Sequence, residues 1–527
     1  MAEWGATVVR ATVRGNPTLV YEPRPRSVGA ILREGRRWHD REFIIHGDRR
    51  LTYDDHEAAV LRAAAALASR GVREGDRVAI FAANSPEWSI TFFAILELGA
   101  IVVPCNGWWS EPEIAHAIEL TTPVLVVADE HRAARLPPSS EVVLVDALAA
   151  APTTTTAAFV EDDEDRPAVI LFTSGTTGFP KGATLSHRSI VANIQSLAVA
   201  TRRLPHQVPD DRPVSVTFTS LPLFHIGALQ LLLLPFLTGA KLVFLAGRFD
   251  PGEVLRLVEE ERVNVWGAVP TMLERVLAHP DLAARDVSSV RTIVMGGSAV
   301  STQLLERVTA AFPNATRGVG QTYGLSEAGG VISTGVAKDL STHEGSVGRI
   351  VPVAEVRIDE PGEPRIGEHG IGEIMARSPA VMDGYWGLPD DPILTADGWL
   401  HSGDLGWVDD DGFLYVTGRK KDMIIRGGEN IAPAHIEAML TEHRAVLEAA
   451  VVGLPHDELG EEVGAVVVIA PGARVSQQEL AAFVRPQLAP FEVPVRWWLR
   501  DDELPKNDSG KVLKLQLRDE WATRLPS

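Results

Sequence analysis

A stretch rich in glycine, serine and threonine, LFTSGTTGFPKGATLSH (171–187), has the residue types needed to hold a polyphosphate. Its candidate ligands are Thr173, Ser174, Gly175, Thr176, Thr177, Gly178 and Lys181. A loop of this composition after an apolar strand can offer backbone N–H groups, hydroxyls and one ammonium to phosphate oxygens. It does not match the Walker pattern GxxxxGK[ST], because Lys181 stands between Pro180 and Gly182. The residues alone also fit a flexible surface turn.

The single cysteine, Cys105, offers no comparable chemistry. It ends the apolar run IVVPC (101–105), where a small buried hydrophobic side chain is the expected role. One cysteine excludes an internal disulfide framework and a cysteine-based zinc site, and it fits a reducing compartment. We therefore expect a cytoplasmic protein that does not use a thiol of its own.

The composition of the 527-residue chain limits its partners. Lys and Arg number 50 against 70 Asp and Glu, and the net charge of −20 repels phosphate backbones and anionic lipid headgroups. We therefore predict no nucleic acid partner, whereas ATP stays compatible because a few local donors outweigh a distant, screened charge. The N-terminus lacks a secretory signal, and the longest apolar stretch, 226–240, is interrupted by Gln230 and Pro235. No integral membrane contact is predicted, and a homodimer stays open.

Alternating helix and strand patterns position the glycine-rich loop. An alanine-rich amphipathic helix is predicted up to Ser69, and Ser85 and Pro86 fit the cap and first turn of another helix. Apolar strands are predicted at 77–84, 101–104, 124–129, 142–147, 168–173, 214–220, 241–246, 264–269 and 292–297. Near-continuous apolar strands separated by helices indicate parallel sheets covered on both faces, and hence an α/β fold.

The pattern changes twice in the second half of the chain. After about Gly345, short strands with frequent Gly and Pro predict a small antiparallel β unit. After Arg419 we predict a compact α+β module with a helix from about Ala434, strands at 449–453 and 464–470, another helix and a polar tail. The acidic run EDDED (161–165) is expected to be a solvated linker. These changes place a large domain at 1–419 and a small one at 420–527.

The glycine-rich segment resembles the phosphate loop of the adenylate-forming superfamily, which contains acyl-CoA synthetases, peptide-synthetase adenylation domains and beetle luciferases. Other matching segments follow in that superfamily's order: GGSAVS (296–301), QTYGLSE (321–327), GEI (372–374), DGYW (383–386), the run 397–437 and LPKNDSGKVLKLQLR (504–518). Together they cover residues 30–520. The resemblance implies a large N-terminal domain of two α/β layered subdomains with a small β-barrel-like subdomain, followed by a small mobile α+β domain.

The resemblance also assigns a nucleotide site. The residues that would bind ATP or AMP are Thr173, Ser174, Gly175, Thr176, Thr177, Lys181, Gly297, Ser298, Ala299, Thr322, Tyr323, Asp404 and Arg419. Thr322 and Tyr323 would border the adenine. Asp404 would accept hydrogen bonds from both ribose hydroxyls, because a carboxylate has two acceptor oxygens, and Arg419 would assist.

Metal and catalytic residues follow from the same motifs. Glu327, with Thr176, would hold the Mg²⁺ that bridges phosphate oxygens, since this ion prefers oxygen ligands. Ser326 replaces the usual threonine and keeps its hydroxyl. Lys511 resembles the catalytic lysine that approaches the α-phosphate, where an ammonium stabilises the negative charge that gathers during adenylation. A solvated lysine in a polar tail is the alternative.

Three residues of the C-terminal region are assigned to domain movement and to coenzyme A. Lys421 matches the hinge about which the small domain swings, a conformational role. Gly427 and Gly428 match the strand that lines the pantetheine tunnel in CoA-forming members, where glycines permit a close approach. A bulge or a tight turn is the alternative for this pair.

The acyl pocket is predicted around LPLFHIGALQ (221–230), where amino-acid-activating relatives carry an aspartate for the substrate ammonium. This chain has Phe224 and then His225, so the ammonium anchor is missing and amino acid substrates are disfavoured. The predicted pocket residues are His225, Gly227, Val269, Gly296, Gly297 and Gly329. Small side chains leave room for a bulky hydrophobic acid, whether fatty, aryl or polycyclic, such as a sterol-derived or natural-product acid. No role follows for Arg317, which is placed near the pocket.

The resemblance therefore implies an AMP-forming acid–thiol ligase that uses ATP, Mg²⁺ and coenzyme A. A carboxylic acid and ATP would give acyl-AMP and pyrophosphate, with Lys511, Glu327 and His225 as catalytic residues, and coenzyme A would then take the acyl group. One alternative is an acyl-AMP ligase that loads an acyl carrier protein. Another is a nucleotide-binding regulatory protein without catalysis, which the presence of Lys421, Lys511 and Glu327 disfavours.

Overall fold

The structure is a computed structural model that describes residues 3–151, 161–173, 179–297, 300, 302–359, 370–506 and 512–524. Its strands are β1 Thr7–Val13, β2 Asn16–Glu22, β3 Glu42–His46, β4 Arg49–Thr52, β5 Arg77–Phe81, β6 Ile101–Pro104, β7 Leu125–Ala128, β8 Val142–Leu144, β9 Pro167–Thr173, β10 Lys181–Ser186, β11 Val216–Thr219, β12 Lys241–Phe244, β13 Val265–Ala268, β14 Thr292–Met295, β15 Val319–Leu325, β16 Gly330–Val336, β17 Arg349–Ile350, β18 Glu355–Asp359, β19 Gly372–Arg377, β20 Gly384–Tyr385, β21 Leu400–Val408, β22 Leu414–Arg419, β23 Ile424–Arg426, β24 Glu429–Ile431, β25 Val446–His456, β26 Gly460–Ile469 and β27 Arg496–Arg500. Its helices are α1 Val28–Glu34, α2 Tyr53–Ser69, α3 Pro86–Glu97, α4 Glu111–Thr121, α5 Glu130–Ala133, α6 Val145–Ala149, α7 His187–Ala200, α8 Ile226–Thr238, α9 Pro251–Glu260, α10 Pro270–Leu277, α11 Thr302–Ala311, α12 Ala337–Thr342, α13 Pro433–Thr441, α14 Gln477–Val484 and α15 Lys514–Arg524.

The first sheet has seven strands in the order β20-β10-β9-β6-β5-β7-β8. Its strands β5 to β9 run parallel, and β10 and β20 extend it in antiparallel fashion. The residues of β6 and β7 are buried throughout, which explains why their apolar side chains do not alternate with polar ones. The glycine-rich segment therefore begins at the carboxyl end of β9.

The second sheet has nine strands in the order β17-β16-β15-β14-β13-β11-β12-β3-β4. Six of them, β3 and β11 to β15, are parallel, and the edges are closed by antiparallel strands. The α1–α3 and α7–α8 helices pack between the two sheets around a core that contains Trp88, Phe93 and Phe236. This arrangement is the predicted α/β layering.

Two helix starts follow the local signals in the sequence. Thr52 and Asp55 form a capping box at the start of α2, and the Ser85 hydroxyl accepts from the backbone N–H of Trp88 at the start of α3.

The segment 142–147 was predicted as one strand, but β8 ends at Leu144 and α6 begins at the next residue. The apolar run is the same for both elements, so periodicity did not separate them.

The remaining strands form two smaller sheets. The predicted antiparallel unit is an open four-stranded sheet, β18-β19-β21-β22, in place of a barrel-like closure among the strands described. In the C-terminal region, β23 to β27 form a five-stranded sheet against α13 and α14, as expected for an α+β module. The predicted polar tail instead contains α15, whose Leu517 and Trp521 are buried against this sheet.

Four of the five residues of the acidic run 161–165 are exposed, as predicted for a solvated segment, but the run also forms a cluster of ion pairs. Both carboxylate oxygens of Glu164 accept from Arg24, each at 2.9 Å, and a third contact of 2.6 Å comes from Arg188. Asp162 accepts from Arg33 at 2.7 Å. These pairs tie the N-terminal segment and α7 to the start of β9. Arg24 lies 140 positions from Glu164, and Arg33 lies 129 positions from Asp162, so the run alone did not indicate these partners.

An N-terminal hairpin, β1 and β2, was not predicted. Its turn residue Arg14 adopts φ +52° and donates to the carboxylate of Asp383 at 2.8 Å. The hairpin therefore contacts the DGYW segment (383–386), which contains β20.

Within the described part of the chain, no helix is both long and apolar enough to cross a bilayer.

Candidate active site

The carboxyl ends of the parallel strands bring the predicted pocket segments together. Strands β11, β13, β14 and β15 are neighbours in the second sheet and run in the same direction. The segments 220–225, 269–270, 296–297 and 322–327 follow or end these strands, so they meet at one edge. Open α/β sheets bind ligands at this edge. Residues more than a hundred positions apart in the sequence can therefore share one site.

A buried carboxylate, Asp404, forms the centre of the predicted nucleoside side. Its Oδ2 accepts from the phenol of Tyr323 at 2.7 Å, and its Oδ1 accepts from Nε of Arg419 at 2.7 Å. The Asp404 side chain is only 6% exposed. Burial and the neighbouring carboxylate raise the pKa of Tyr323 well above its ordinary value, so the phenol stays a donor. Each carboxylate oxygen keeps a second lone pair for a ligand hydroxyl.

Glu373 positions the turn that carries Asp404, a role that the sequence did not indicate beyond the GEI motif. One of its oxygens accepts from the backbone N–H of Gly403 at 3.1 Å, and the other pairs with Lys420 at 3.0 Å. Although burial alone would raise the pKa of Glu373, hydrogen bonds from Lys420 and His401 lower it. Gly403 has φ +69°, which favours glycine. Glu373 thus holds this left-handed turn beside the carboxylate.

The predicted phosphate side is built around Tyr385. Its hydroxyl donates to Oε1 of Glu327 at 2.9 Å, and Thr173 pairs with Lys181 in the register of β9 and β10. The ammonium of Lys181 lies 4.8 Å from the centre of the Tyr385 ring and pairs with Asp391 at 2.7 Å. Burial first, and then Glu327, raise the pKa of Tyr385. Thr173, Lys181 and Glu327 therefore lie together, and Tyr385 and Asp391 are contributors that the motifs did not single out.

Several predicted site residues lie outside the described residues. They are Ser174, Gly175, Thr176, Thr177, Gly178, Ser298, Ala299 and Lys511. Their assignments stay predictions from the resemblance.

The residues present fit a Mg²⁺ ion held chiefly by substrate oxygens. One oxygen of Glu327 accepts from Tyr385, which leaves the other for a cation. In the described part of the chain, no group of three or more His, Cys, Asp or Glu side chains is arranged to hold a metal ion. Mg²⁺ commonly uses one or two carboxylates together with phosphate oxygens and water. A single carboxylate beside Lys181 suits that mode of binding.

His225 lies at the predicted acyl side, just before α8. Burial lowers its pKa to about 4, so the imidazole is neutral at pH 7. Its Nε2 is buried without a hydrogen-bond partner among the described residues. A buried polar atom of this kind costs about 1–3 kcal/mol unless a ligand satisfies it. The arrangement suits an oxygen of a bound acid or acyl group.

Asn84, in the loop between β5 and α3, anchors the segment that carries His225. Its amide donates to the backbone oxygen of Leu221 at 2.8 Å and accepts from the backbone N–H of Leu223 at 2.9 Å. The carboxyl ends of the two large sheets are thereby joined next to His225. Sequence reasoning missed Asn84, because its partners lie 137 and 139 positions away.

The predicted pocket glycines differ in what surrounds them. A Cβ on Gly296 would lie 2.8 Å from the Thr322 hydroxyl, and a Cβ on Gly297 would lie 3.6 Å from the side chain of Val269. Gly296 and Gly297 therefore lie between Thr322 of the predicted nucleotide site and Val269 of the predicted acyl pocket. Gly227 is the most open, with one atom at 4.0 Å from the position of its Cβ. Gly227 is therefore the glycine that leaves the most room.

Two predicted positions do not line an open pocket. A Cβ on Gly329 would lie 1.8 Å from the backbone oxygen of Ala380, so the space beside this glycine is already filled. Arg317 is exposed and precedes β15, whose first residue Val319 pairs with Ile293. It therefore lies at the amino edge of the second sheet, opposite the pocket. The placement of Arg317 near the pocket is therefore wrong.

The C-terminal assignments fall on turns. Lys421 lies in the 3-10 turn Lys420–Asp422 directly after β22. Burial lowers its pKa, Asp422 opposes this shift and Arg419 adds to it. Gly427 and Gly428, with φ +59° and +89°, form the two-residue turn between β23 and β24, not part of a strand. Two successive residues of positive φ are typical of a tight hairpin turn, which explains the glycines.

The fold and the site define an α/β nucleotide-binding enzyme with a separate C-terminal module. A family model of AMP-binding enzymes matches residues 31–386, and a model of the AMP-binding enzyme C-terminal domain matches residues 435–511. The chain belongs to the AMP-binding enzyme family. The resemblance drawn from the motifs is confirmed.

Individual relatives agree with this assignment. The chain is 37% identical to a feruloyl-CoA synthase of Amycolatopsis sp over 489 residues, which cover 90% of this chain and 95% of that protein. It is 34% identical to ScoC, a fatty acid–[acyl-carrier-protein] ligase of Streptomyces coeruleorubidus, over 91% of this chain and 93% of ScoC. The structure of o-succinylbenzoate CoA synthetase (MenE) from Bacillus subtilis, in complex with its acyl-adenylate intermediate, has a TM-score of 0.80 at 30% identity. That match covers 94% of this chain and 98% of MenE and confirms the predicted fold class.

Proposed function

We propose that this chain is an ATP-dependent carboxylic acid:CoA ligase that forms acyl-AMP and pyrophosphate and then acyl-CoA and AMP. The observation that carries the proposal is the buried Asp404 carboxylate, held by Tyr323 and Arg419 on the same side of the fold as Lys181 and Glu327. A carboxylate held by two donors suits a ribose diol, and the neighbouring cation and carboxylate suit a metal-bound polyphosphate.

In the first step, a carboxylate oxygen of the acid attacks the α-phosphorus of ATP, and the bond to pyrophosphate breaks. Lys511 stabilises the charge that develops on the α-phosphoryl oxygens, and Lys181 together with the loop 174–178 binds the leaving phosphates. Mg²⁺, when bound, neutralises phosphate charge. Glu327 would hold it, with its carboxylate oriented by Tyr385. Adenylation therefore gives the acyl carbon a good leaving group, AMP, in place of hydroxide, which leaves poorly.

In the second step, the thiol sulfur of coenzyme A attacks the acyl carbon, and AMP leaves. We propose that residues 420–527 form the small domain and that it rotates about Lys421 between the steps. The turn at Gly427 and Gly428 would then face the pantetheine arm. The position of Lys421, directly after β22 and between the two regions, supports this role.

The acid is proposed to be hydrophobic. Phe224 and His225 stand where an ammonium anchor would be needed, and His225 is neutral because burial lowers its pKa to about 4. The orphan Nε2 of His225 would donate to an oxygen of the acid or of its acyl group. Feruloyl-CoA synthase, at 37% identity, supports an aryl acid, whereas ScoC, at 34%, supports a fatty acid and a carrier-protein acceptor.

The test is a pyrophosphate exchange assay over a panel of fatty, aryl and polycyclic acids, followed by product analysis. We expect exchange with hydrophobic acids, release of AMP and pyrophosphate, and acyl-CoA formation from free coenzyme A without any carrier protein. Release of ADP and phosphate would overturn the proposal. Thioester formation only on a carrier protein would favour the ScoC-like function.

A cytoplasmic location and a homodimer are further proposals. The location is supported by the cysteine content, because the chain has one cysteine, Cys105, and can form no internal disulfide. Fractionation of the source cells and light scattering of the purified protein test the two proposals.

A further inference from the structure

Trp108 differs from the other tryptophans of the chain. It is 55% exposed, and it is the one tryptophan among the large exposed hydrophobic residues of the described chain. It lies in the segment 105–110 after β6, which we call the Trp108 loop. This loop is at the carboxyl end of the first sheet, next to β9 and the start of the glycine-rich segment. An isolated exposed hydrophobic residue has no meaning by itself, so its surroundings decide.

The backbone of the Trp108 loop is held in place. The side-chain oxygen of Asn106 accepts from the backbone N–H of Trp108 at 2.9 Å. Arg135 donates to the backbone oxygen of Gly107 at 2.8 Å and also to that of Trp109. The indole is therefore presented by a fixed backbone, and ordering it on ligand binding costs little.

The neighbouring Trp109 fixes the loop to the site. It is buried, and its ring packs edge-on against Phe172 with 5.0 Å between ring centres. Phe172 is followed by Thr173, the last residue of β9. The Trp108 loop is thus joined to the strand that leads into the glycine-rich segment.

Trp108 also contacts the acyl side of the site directly. Its ring packs edge-on against Phe224, with 5.6 Å between ring centres and an interplanar angle of 72°. The ring of Phe224 in turn lies 4.5 Å from that of His225. Asn84 holds this segment at Leu221 and Leu223. An aromatic row therefore runs from the unpartnered imidazole to the surface.

We propose that Trp108 is the outer wall of the acyl site and selects carboxylic acids with a flat, apolar body, an aryl acid above all. The inference rests on the proposed function and names the substrate class of the same site. Ring pairs at 4.5–7 Å gain affinity beyond the area they bury, by roughly twofold to tenfold. An acid whose carboxylate lies at His225 and whose ring contacts Trp108 gains this additional affinity. An alkyl chain of equal length gains only the burial.

The pantetheine arm of coenzyme A is the other extended group that enters the site, so the two half-reactions are measured separately. Pyrophosphate exchange is followed with a hydroxycinnamic acid and with a straight-chain fatty acid of matched length. Thioester formation is followed from preformed acyl-AMP at varied coenzyme A. The variants are Trp108→Ala and Trp108→Phe, with Leu61→Ala, an exposed apolar truncation on α2, as the control.

We expect Trp108→Ala to raise the KM for the aryl acid about tenfold and that for the fatty acid by less than about threefold. The KM values for ATP and coenzyme A, and the rate at saturating acid, should not change. Trp108→Phe should restore most of the affinity, and Leu61→Ala should match the wild type. An unchanged KM for both acids, equal rises for both, or a rise confined to coenzyme A would overturn the proposal.

A binding measurement separates this inference from the proposed function. Addition of the aryl acid should change the tryptophan fluorescence of the wild type, and Trp108→Phe should lack that change. If no acid supports exchange but the aryl acid still changes the fluorescence through Trp108, the ligase function fails and the binding site stands. If exchange is active and the fluorescence change is the same in Trp108→Phe, the ligase function is supported and the role of Trp108 as the outer wall of the acyl site is rejected.

Discussion

The phenol of Tyr385 donates a hydrogen bond to Oε1 of Glu327 over 2.9 Å. Two backbone bonds support this pair, from the N–H of Met382 to the oxygen of Glu327 at 2.9 Å and from the N–H of Trp386 to the oxygen of Gly182 at 2.8 Å. The DGYW segment thereby links the proposed metal ligand to β10, the strand that follows the glycine-rich loop. Glu327 is oriented by residues that lie far from it in the sequence.

Tyr385→Phe is expected to weaken MgATP binding while the chemical step continues. Loss of a hydrogen bond to a charged group corresponds to about 1.5–3 kcal/mol, so the KM for MgATP should rise roughly tenfold to a hundredfold. The measurement is pyrophosphate exchange at varied MgATP. Tyr415→Phe is the matched control, because Tyr415 makes a similar bond to Asp409 within the small sheet. A rise of the same size in the control would assign the effect to folding.

Asp404→Asn is expected to weaken nucleotide binding more than Tyr323→Phe does. The substitution removes the charge that Arg419 faces and replaces one acceptor oxygen with a donor, so AMP affinity should fall by roughly tenfold to a hundredfold. Tyr323→Phe leaves the carboxylate and should cost less. Titration calorimetry with AMP measures both, and Asp409→Asn on the same sheet serves as control. Equal affinity in Asp404→Asn and the wild type would remove Asp404 from the site.

Lys511→Ala is expected to separate the two half-reactions. Adenylation should slow by roughly a hundredfold or more, because an ammonium no longer meets the charge on the α-phosphoryl group. Thioester formation from supplied acyl-AMP and coenzyme A should continue. Lys338→Ala, an exposed lysine on α12, is the control. Equal losses in both half-reactions would reject the adenylation role of Lys511.

Asp391→Asn is expected to release Lys181. The carboxylate holds the ammonium at 2.7 Å and over the Tyr385 ring, and a free lysine must be reordered when phosphates bind. We expect the KM for MgATP to rise about threefold to tenfold, which corresponds to about 0.7–1.4 kcal/mol, with kcat little changed. Asp390→Asn, the exposed neighbour, should have no effect. A lower KM would mean that Asp391 competes with the phosphates for Lys181.

Acid should destabilise the fold as pH falls below about 6.5. Burial lowers the pKa of His56 from 6.5 to about 3, and those of His187 and His225 to about 4. Between pH 6.5 and these values, the unfolded chain binds protons that the native protein does not. Stability is therefore full above pH 6.5, falls through this window and levels off below the native pKa values.

Thermal unfolding followed at several pH values checks this expectation. His225→Gln should lose less stability between pH 7 and pH 5 than the wild type, because one buried titrating group is removed. His131→Gln, at an exposed position on α5, should retain the pH dependence of the wild type. A steeper loss in His225→Gln would contradict the burial of a neutral imidazole.

Local patterns were sufficient where structure depends on neighbours in the chain. The buried strands β6 and β7 were predicted because a strand covered on both faces is apolar throughout, and the start of α3 because Ser85 and Pro86 fit a cap. The motifs also placed Tyr323, Asp404 and Arg419 in one site before any distance was known. For Gly427 and Gly428 the residues left a strand and a tight turn open, and two positive φ angles show the turn.

What the sequence determined by itself was therefore the α/β class, the fully buried parallel strands and the motifs of the AMP-binding family. Only the tertiary structure decided which side chains meet across the fold: Asp391 with Lys181 over 210 positions, Asn84 with Leu221 over 137, and the run 161–165 with its arginines. The physical reason is that such contacts depend on how two sheets and their helices pack. The residues around one partner of such a pair do not indicate which residue the other partner is. A strand or a helix cap, in contrast, depends on residues close by in the sequence.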